Sequence, residues 1–534
     1  MNVVRIIPRF IALLHRGHPA AGAGVSTLQS LRHSDSNIVE LSVSAWFYRN
    51  RTIAGFDNPA RALYVSVREL VENSLDACEG AGVLPGIHVS LQQVKTDSSE
   101  AEGMPRGPQI FRLRIQDNGS GIRREDAPRL LGRMLTGTKF TLKQSRGTFG
   151  LGGSLALLYG QITTQRPIEI TTGRSGEQSK HKIVMRLDIE NNEPILIHEE
   201  QQPKSPREHG TIIEFYLQGD WFRSKRRITE YFLQTSMIVP YASMRFDNPD
   251  GESLRLPRII ETLPQQPKEA KPHPRGIDVE LLKRMIKESR RSTLKSFLSG
   301  SFQRVGESTA EKFLASAGLN PAASPKALST ENLVHMMRKL ETYSGFLAPS
   351  SKSLSPAGLD VLEAGIRRLK PEFVVVRQRA PNVYEGHPFI VETGVAYGGE
   401  LTPAIKLYRF ANRIPLLYDE RTDVSSQVIR ELNLKNYGLR QDDPLAFFVH
   451  ICSTKIPYKT VGKEFIGDID VIRREIDLGL KDCLRRLGEG VRRKRRVHRQ
   501  ERRESRLVGY YEFIAETLSK ATHQEVSLVS LFGN

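Results

Sequence analysis

The sequence predicts an α+β fold in three domains, and three observations carry that reading. At 534 residues, the chain has room for three or so domains of roughly 100–200 residues each. Strand and helix patterns are mixed in the first and last regions, whereas Gly276–Leu340 between them reads as helix alone. Two stretches of structure-breaking composition separate these regions: Pro257–Pro274, with five prolines, and Ala348–Pro356, with Ser350, Ser351, Ser353 and Ser355.

Ordered sequence begins near Val43–Phe47. From Pro59 to Cys78, Leu63, Val67, Leu70, Val71, Leu75 and Cys78 recur at three- and four-residue steps, the period of a helix with one buried face. Ile87–Val94 alternates as a strand, Lys95–Pro108 is a polar loop, and Phe111–Ile115 is a second strand that ends in a turn-forming cluster. A short helix, a glycine loop and an apolar helix at Leu155–Tyr159 follow, then strands at Ile168–Thr172, Lys182–Asp188 and Thr211–Leu217. In the last region, strands are expected at Phe373–Val376, Pro415–Tyr418 and Ala446–His450. A helix is expected at Asp470–Gly488, and a second, highly charged one running to about Lys520. No internal repeat is present.

Composition narrows the partners. With 78 Lys and Arg against 60 Asp and Glu, the chain carries a net charge of +18. That favours a polyanion such as nucleic acid, although a solvated basic surface has the same balance. Cys78, Cys452 and Cys483 are too few and too scattered for a disulfide framework or a zinc site, so they read as buried thiols in a reducing compartment. No apolar run reaches the roughly 18 residues of a membrane span. The first 34 residues lack Asp and Glu, carry Arg5, Arg9, Arg16 and Arg32, and place Val3, Ile7, Phe10, Ile11 and Leu14 on one helical stripe. Organelle transit peptides share this profile with short, poorly ordered basic leaders, and residues 1–40 are read as such a leader.

Three patterns carry chemistry. In Glu69-Leu70-Val71-Glu72-Asn73, a carboxylate and an amide stand one above the other on a helix. The carboxylate suits polarising a water, and the amide oxygen suits a magnesium ion, which takes oxygen ligands and keeps most of its waters. A solvated helix face shows the same pair. In Asp117-Asn118-Gly119-Ser120-Gly121, an ionised carboxylate at a strand end suits the exocyclic amine of adenine, although an ordinary tight turn looks alike. In Gly147-Thr148-Phe149-Gly150-Leu151-Gly152-Gly153-Ser154, glycines let backbone N–H groups converge on an anion at the start of a helix. This loop matches neither a P-loop nor a dinucleotide-binding turn.

The order of these patterns, followed by Gly210-Thr211 at the head of a strand, resembles the GHKL ATPases. The resemblance implies a mixed sheet backed by helices, with ATP held under a glycine-containing lid. It implies Glu69 as general base, Asn73 as the Mg²⁺ ligand and Asp117 as the adenine reader. Gly147, Thr148, Phe149, Gly150, Leu151, Gly152, Gly153 and Ser154 would wrap the phosphates, and Thr138 and Lys139 would touch the nucleotide. Ser154 stands where many relatives end the loop with a lysine.

Longer runs narrow the likeness. Phe47–Phe56 with Arg61-Ala62-Leu63-Tyr64, Lys271-Pro272-His273-Pro274-Arg275-Gly276, Thr293–Leu298, Arg304-Val305-Gly306, Tyr408–Tyr418 and Ser453–Glu464 resemble the B subunits of topoisomerase VI. That family's layout implies a GHKL-type α/β sandwich over residues 44–262 and a small helix–two-turn–helix domain over 263–347. An α/β transducer domain with a long C-terminal helix would span 348–524, and a tail 525–534. The resemblance further implies a transducer lysine on the γ-phosphate, with Lys463 favoured over Lys455 and Lys459. Its implied partners are a B homodimer formed on ATP binding, an A subunit in a heterotetramer of two A and two B chains, and double-stranded DNA, with no membrane. The compartment would be the cytoplasm or nucleoid of a prokaryote, or otherwise the nucleus, with organelle import left open by the leader.

The basic run Arg492, Arg493, Lys494, Arg495, Arg496, Arg499, Arg502, Arg503 and Arg506 fits phosphate contact or a solvated helix bridging to the partner. Asp468-Ile469-Asp470 is read as surface turn chemistry, so DNA cleavage is assigned to the A subunit. The rival readings are a non-catalytic B-like scaffold, against which the intact Glu69, Asn73, Asp117 and glycines argue, and a chaperone or mismatch-repair ATPase, which would lack the Lys271–Gly276 run.

Overall fold

A computed structural model describes residues 42–94, 108–136, 143–147, 152–459 and 463–522. Strands β1 (Gly86–Gln93), β2 (Gln109–Gln116), β3 (Ile168–Gly173), β4 (Ser179–Asp188), β5 (Glu193–Pro203), β6 (Gly210–Gly219), β7 (Ser243–Asp247) and β8 (Ser253–Leu256) form one sheet. Its order is β5-β4-β3-β6-β2-β1-β7-β8. All neighbours run antiparallel except β1 and β7. Register follows the pleat: Val89 faces Ile115 and Leu91 faces Leu113. Ile87, Val89, Leu91, Phe111, Leu113 and Ile115 therefore enter one core.

Helices α1 (Val43–Arg49), α2 (Pro59–Gly80), α3 (Ala127–Gly132), α4 (Gly152–Thr164) and α5 (Trp221–Ile238) accompany this sheet. The Asn58 side chain caps α2 by accepting from Arg61 N, and Pro59 occupies its first turn, where a missing N–H costs nothing. The apolar stripe read from the sequence, Leu63, Val67, Leu70, Val71 and Leu75, is fully buried, and α2 packs against α4, α5 and β6.

Helices α6 (Val279–Glu288), α7 (Leu294–Ser301), α8 (Glu307–Ser316) and α9 (Thr330–Thr342) close around Leu282, Phe297, Phe313, Leu314, Met336 and Leu340. A second sheet holds β9 (Phe373–Gln378), β10 (Asn382–Tyr384), β11 (His387–Tyr397), β12 (Ile405–Ala411), β13 (Ile414–Pro415) and β14 (Leu445–Ser453). Its order is β10-β11-β14-β12-β13, with β9 also on β11. Helices α10 (Leu359–Ile366), α11 (Val424–Glu431) and α12 (Asp470–Thr522) complete this region. The fold is α+β, as the sequence predicts. No helix among the described residues is long and apolar enough to cross a membrane.

Two expectations need correction. The strand expected at Pro415–Tyr418 stops at Pro415; beyond it the carbonyls of Leu416 (2.8 Å) and Tyr418 (3.0 Å) accept from the Arg409 guanidinium. The two helices expected after Asp470 are one continuous helix, α12, of 53 residues. Gly488 does not end it. A side chain at Gly488 would meet the Tyr437 carbonyl at 2.2 Å, so the glycine serves packing, and a helix tolerates it for about 1 kcal/mol. Beyond Val491 the helix leaves the core, and Arg493, Arg496, Arg499, Arg502, Arg503 and Arg506 are exposed. Arg495, by contrast, is tied to Asp443 at 2.9 Å and Lys494 to Glu372 at 2.5 Å.

At the start of β11, His387 is buried with Nδ1 2.9 Å from the Thr454 hydroxyl. Burial, with the Lys455 charge adding to it, pushes its pKa down to about 4 from 6.5. The folded chain refuses a proton that the unfolded chain accepts below pH 6.5, so stability is lost as pH falls from 6.5 towards 4. At about 1.4 kcal/mol per unit, the loss reaches about 3 kcal/mol. Replacing His387 with glutamine is expected to flatten that part of the acid slope, measured as melting temperature from pH 7.5 to 4.5.

Candidate active site

A cavity of about 570 Å³ opens where α2, the end of β2, the N-terminus of α4 and the segment carrying Lys463 converge. It is lined by Glu69, Asn73, Asp117, Gly147, Gly152, Gly153, Ser154 and Lys463, so these eight residues singled out in the sequence meet in one place. Thr138, Lys139, Thr148, Phe149, Gly150 and Leu151 lie outside the described residues. A volume of this size is that of an ordinary small-molecule site.

Helical spacing puts Glu69 and Asn73 one turn apart on the cavity side of α2. Glu69 is buried, 2.6 Å from Arg68 and 3.5 Å from the Lys463 ammonium. Glu72, which no sequence pattern marks as a site residue, is buried beside them. Arg68 lies 3.4 Å from one of its oxygens and Lys463 3.4 Å from the other. Burial raises the Glu72 pKa, with Lys463 pulling the other way. Two cations and two carboxylates thus share one dry cluster, each charge compensated by its neighbours.

Lys463 comes from the region of the second sheet, near Ile466, which forms an antiparallel bridge with Tyr458. Its backbone has φ 53°, an uncommon conformation for lysine that turns the side chain inward. Lys455 is exposed and paired with Glu385, and Lys459 is exposed; of the three candidates, the structure brings Lys463 to the cavity.

Asp117 follows β2 directly. Its Oδ1 accepts from Gly119 N at 2.9 Å and Thr211 N at 3.1 Å, and its Oδ2 accepts from the Ser74 hydroxyl at 3.0 Å. Burial raises its pKa against those three hydrogen bonds. Ser74 and Thr211 orient the carboxylate. Both adjoin motifs noted in the sequence, but only pairing across α2 and the sheet assigns them this task.

Gly152 opens α4 against Glu69. A Cβ there would fall 1.8 Å from Glu69 Oε2, so no other residue fits without displacing the carboxylate. The first N–H groups of a helix lack intrahelical partners and carry partial positive charge. The start of α4 and Lys463 together suit a ligand bearing several anionic oxygens. Arg123, Asp126, Thr136 and Arg174 also line the cavity, and no periodicity or spacing in the sequence marks them out. Cys78, Cys452 and Cys483 are buried free thiols, and burial pushes the Cys78 thiol up to about 12.

Comparison with known proteins agrees with this geometry in both regions. The family described as histidine kinase-, DNA gyrase B- and HSP90-like ATPase matches residues 58–218, which contain Glu69, Asn73, Asp117 and the glycine loop. The family described as topoisomerase VI B subunit, transducer, matches residues 349–503, which contain Lys463. The B subunit of type 2 DNA topoisomerase 6 from Pyrobaculum aerophilum is 42% identical over 488 residues, covering 91% of this chain and 90% of that one. The protein of the same name from Metallosphaera sedula is 40% identical over 481 residues, covering 89% and 88%, and that from Saccharolobus islandicus is 39% identical over the same span. With likeness of this extent joined to a cavity shared by both matched regions, the chain belongs to the family of topoisomerase VI B subunits.

Proposed function

We propose that the chain is the ATP-binding and ATP-hydrolysing subunit of a type II DNA topoisomerase, working with a separate DNA-cleaving A subunit. One observation carries the reading: Lys463, from the transducer-matched region, lines one cavity with Glu69 of the ATPase-matched region and lies 3.5 Å from that carboxylate. A ligand bound there would engage both regions at once.

In this reading Asp117 accepts from the adenine amine, the glycine strap and the α4 N-terminus hold the phosphates, and Lys463 moves to the γ-phosphate. Glu69, held by Arg68, removes the proton from the attacking water. The donor set at Asn73, an amide oxygen among carboxylates, fits a hard divalent cation such as Mg²⁺. When bound, Mg²⁺ neutralises phosphate charge, and Asn73 would hold it. Residues 44–262 would form the ATPase domain, 263–347 the helix–two-turn–helix domain and 348–524 the transducer.

Two B chains would dimerise on ATP and close over a DNA duplex, in an assembly of two A and two B chains. Closure would be coupled to passage of that duplex through a break made by the A subunit, relaxing positive and negative supercoils and decatenating DNA. Nucleotide can favour the closed form only as far as it binds that form more tightly, and a site spanning two regions provides such a difference. The net charge of +18 and the exposed arginines of α12 support a DNA partner.

Calorimetry of the full chain with magnesium and a non-hydrolysable ATP analogue tests this directly. One binding event per chain is expected, together with ATP hydrolysis that rises when an A subunit and duplex DNA are added. A flat titration would remove the reading.

A further inference from the structure

Lys204, directly after β5, places its ammonium among backbone carbonyls. Its Nζ donates to the carbonyls of Glu177 at 2.6 Å, Glu208 at 2.7 Å and Arg174 at 2.8 Å, with Ser205 further off at 3.3 Å. An ammonium has three N–H donors, so the three short bonds use all of them. All four acceptors are main-chain oxygens.

This one group joins two turns. Arg174 and Glu177 belong to the turn between β3 and β4, and Ser205 and Glu208 to the turn between β5 and β6. Backbone bonds also cross between them, from Gly176 N to the Pro206 carbonyl at 3.0 Å and from Lys204 N to the Gln178 carbonyl at 2.9 Å. The lysine stem lies over Gly173, where a Cβ would fall 2.7 Å from Lys204 Cε.

The same two turns back the Asp117–Gly121 segment. A Cβ at Gly121 (φ 66°) would meet the Gly173 carbonyl at 2.2 Å, and one at Gly210 (φ 132°) would meet the Asp117 carbonyl at 2.0 Å. His209 Nδ1 donates to the Gly119 carbonyl at 2.7 Å, and the Thr172 hydroxyl accepts from Ile122 N at 2.8 Å. Arg174, whose carbonyl Lys204 holds, lines the cavity itself.

We propose that Lys204 is a positioning residue for the base end of the cavity, its ammonium serving as a tethered monovalent cation that holds both turns behind Asp117–Gly121. Carbonyl oxygens that converge on one point suit a cation, and rings of them replace the hydration shell of K⁺ where proteins select that ion. Here the cation is covalently attached, so the chain needs no dissolved ion at this place. Without it the carbonyls separate, and Gly173, Arg174, His209 and Gly210 lose their fixed places behind Asp117. This inference rests on the nucleotide reading of the cavity and concerns the fit of the base alone.

Lys204→Met keeps a stem over Gly173 and deletes the charge. Calorimetry of the full chain with magnesium and a non-hydrolysable ATP analogue should show affinity weakened at least about fivefold, the lower end of ordinary coupling between sites. In steady-state hydrolysis the loss should fall on KM, with kcat within about threefold of the unmodified chain, the signature of lost uniform binding. Lys204→Ala empties the carbonyl ring. Potassium chloride should then recover affinity that tetramethylammonium chloride, too bulky to enter, does not recover at equal ionic strength, while the unmodified chain binds alike in both salts. Unchanged affinity in Lys204→Met, or a loss in kcat rather than KM, overturns the positioning role. Equal affinity of Lys204→Ala in the two salts overturns the cation site. A lowered melting temperature with intact affinity shows a structural brace alone and also ends the proposal. If the unmodified chain binds no analogue, the nucleotide reading fails instead; the Lys204→Ala melting temperature in the two salts then still decides the cation site, equal values ending it.

Discussion

Exchange of Asn73 for alanine is expected to abolish ATP-dependent supercoil relaxation while the chain stays folded. Asn73 is half-buried on the cavity side of α2, and alanine is the best helix former, so the helix loses nothing in backbone preference. What disappears is the one amide oxygen assigned to the metal. Metal neutralisation of phosphate charge is worth several kcal/mol in the transition state, and about 1.4 kcal/mol is tenfold in rate. Turnover should fall by roughly a thousandfold or more on that arithmetic. Plasmid relaxation with an A subunit measures the loss, and an unchanged melting temperature shows that it is not unfolding. Full activity in this variant would end the pocket assignment.

Glu69→Gln separates chemistry from binding. Glutamine keeps the shape that Gly152 accommodates but cannot take a proton from water. A positioned general base contributes about 10²–10⁴-fold, so kcat should fall within that range while affinity for nucleotide stays close to that of the unmodified chain. Arg68 keeps Glu72 at 3.4 Å as a partner, so no buried cation is stranded. Single-turnover hydrolysis beside calorimetry makes the comparison, and a kcat within about threefold of the unmodified chain would take the base role from Glu69.

The two variants also differ in what they should do to closure. Glu69→Gln leaves the phosphate and metal contacts in place, so nucleotide-dependent dimerisation should persist and outlast that of the unmodified chain. Asn73→Ala weakens the ligand itself, so dimerisation should weaken with it. Size-exclusion chromatography with light scattering, run with ATP, distinguishes the two.

Much of this protein was legible in the residues themselves, for identifiable reasons. Helix α2 is long and strongly periodic, so Leu63, Val67, Leu70 and Leu75 declared both the helix and its buried face. Helical spacing alone then put Glu69 beside Asn73, and the order of the Glu69–Asn73, Asp117–Gly121 and Gly147–Ser154 patterns was enough to reveal the family. Local pattern fails where a segment's environment is set from far away. Strand β5 lies at the sheet edge with Ile195, Leu196 and Ile197 about half exposed, so it shows no alternation. Strand β11 is buried almost throughout, and burial on both faces erases alternation as well. Lys463 could not be told from Lys455 and Lys459 by spacing, because its place depends on a left-handed backbone residue and a return of the chain towards α2. Glu72, and the ion pairs of Glu79 with Arg146 and Arg413, likewise belong to the tertiary structure. A buried charge is tolerable only beside its counter-charge, and these partners come from segments up to 391 residues apart. Sequence determined which groups the chain carries, and folding decided which of them share one cavity.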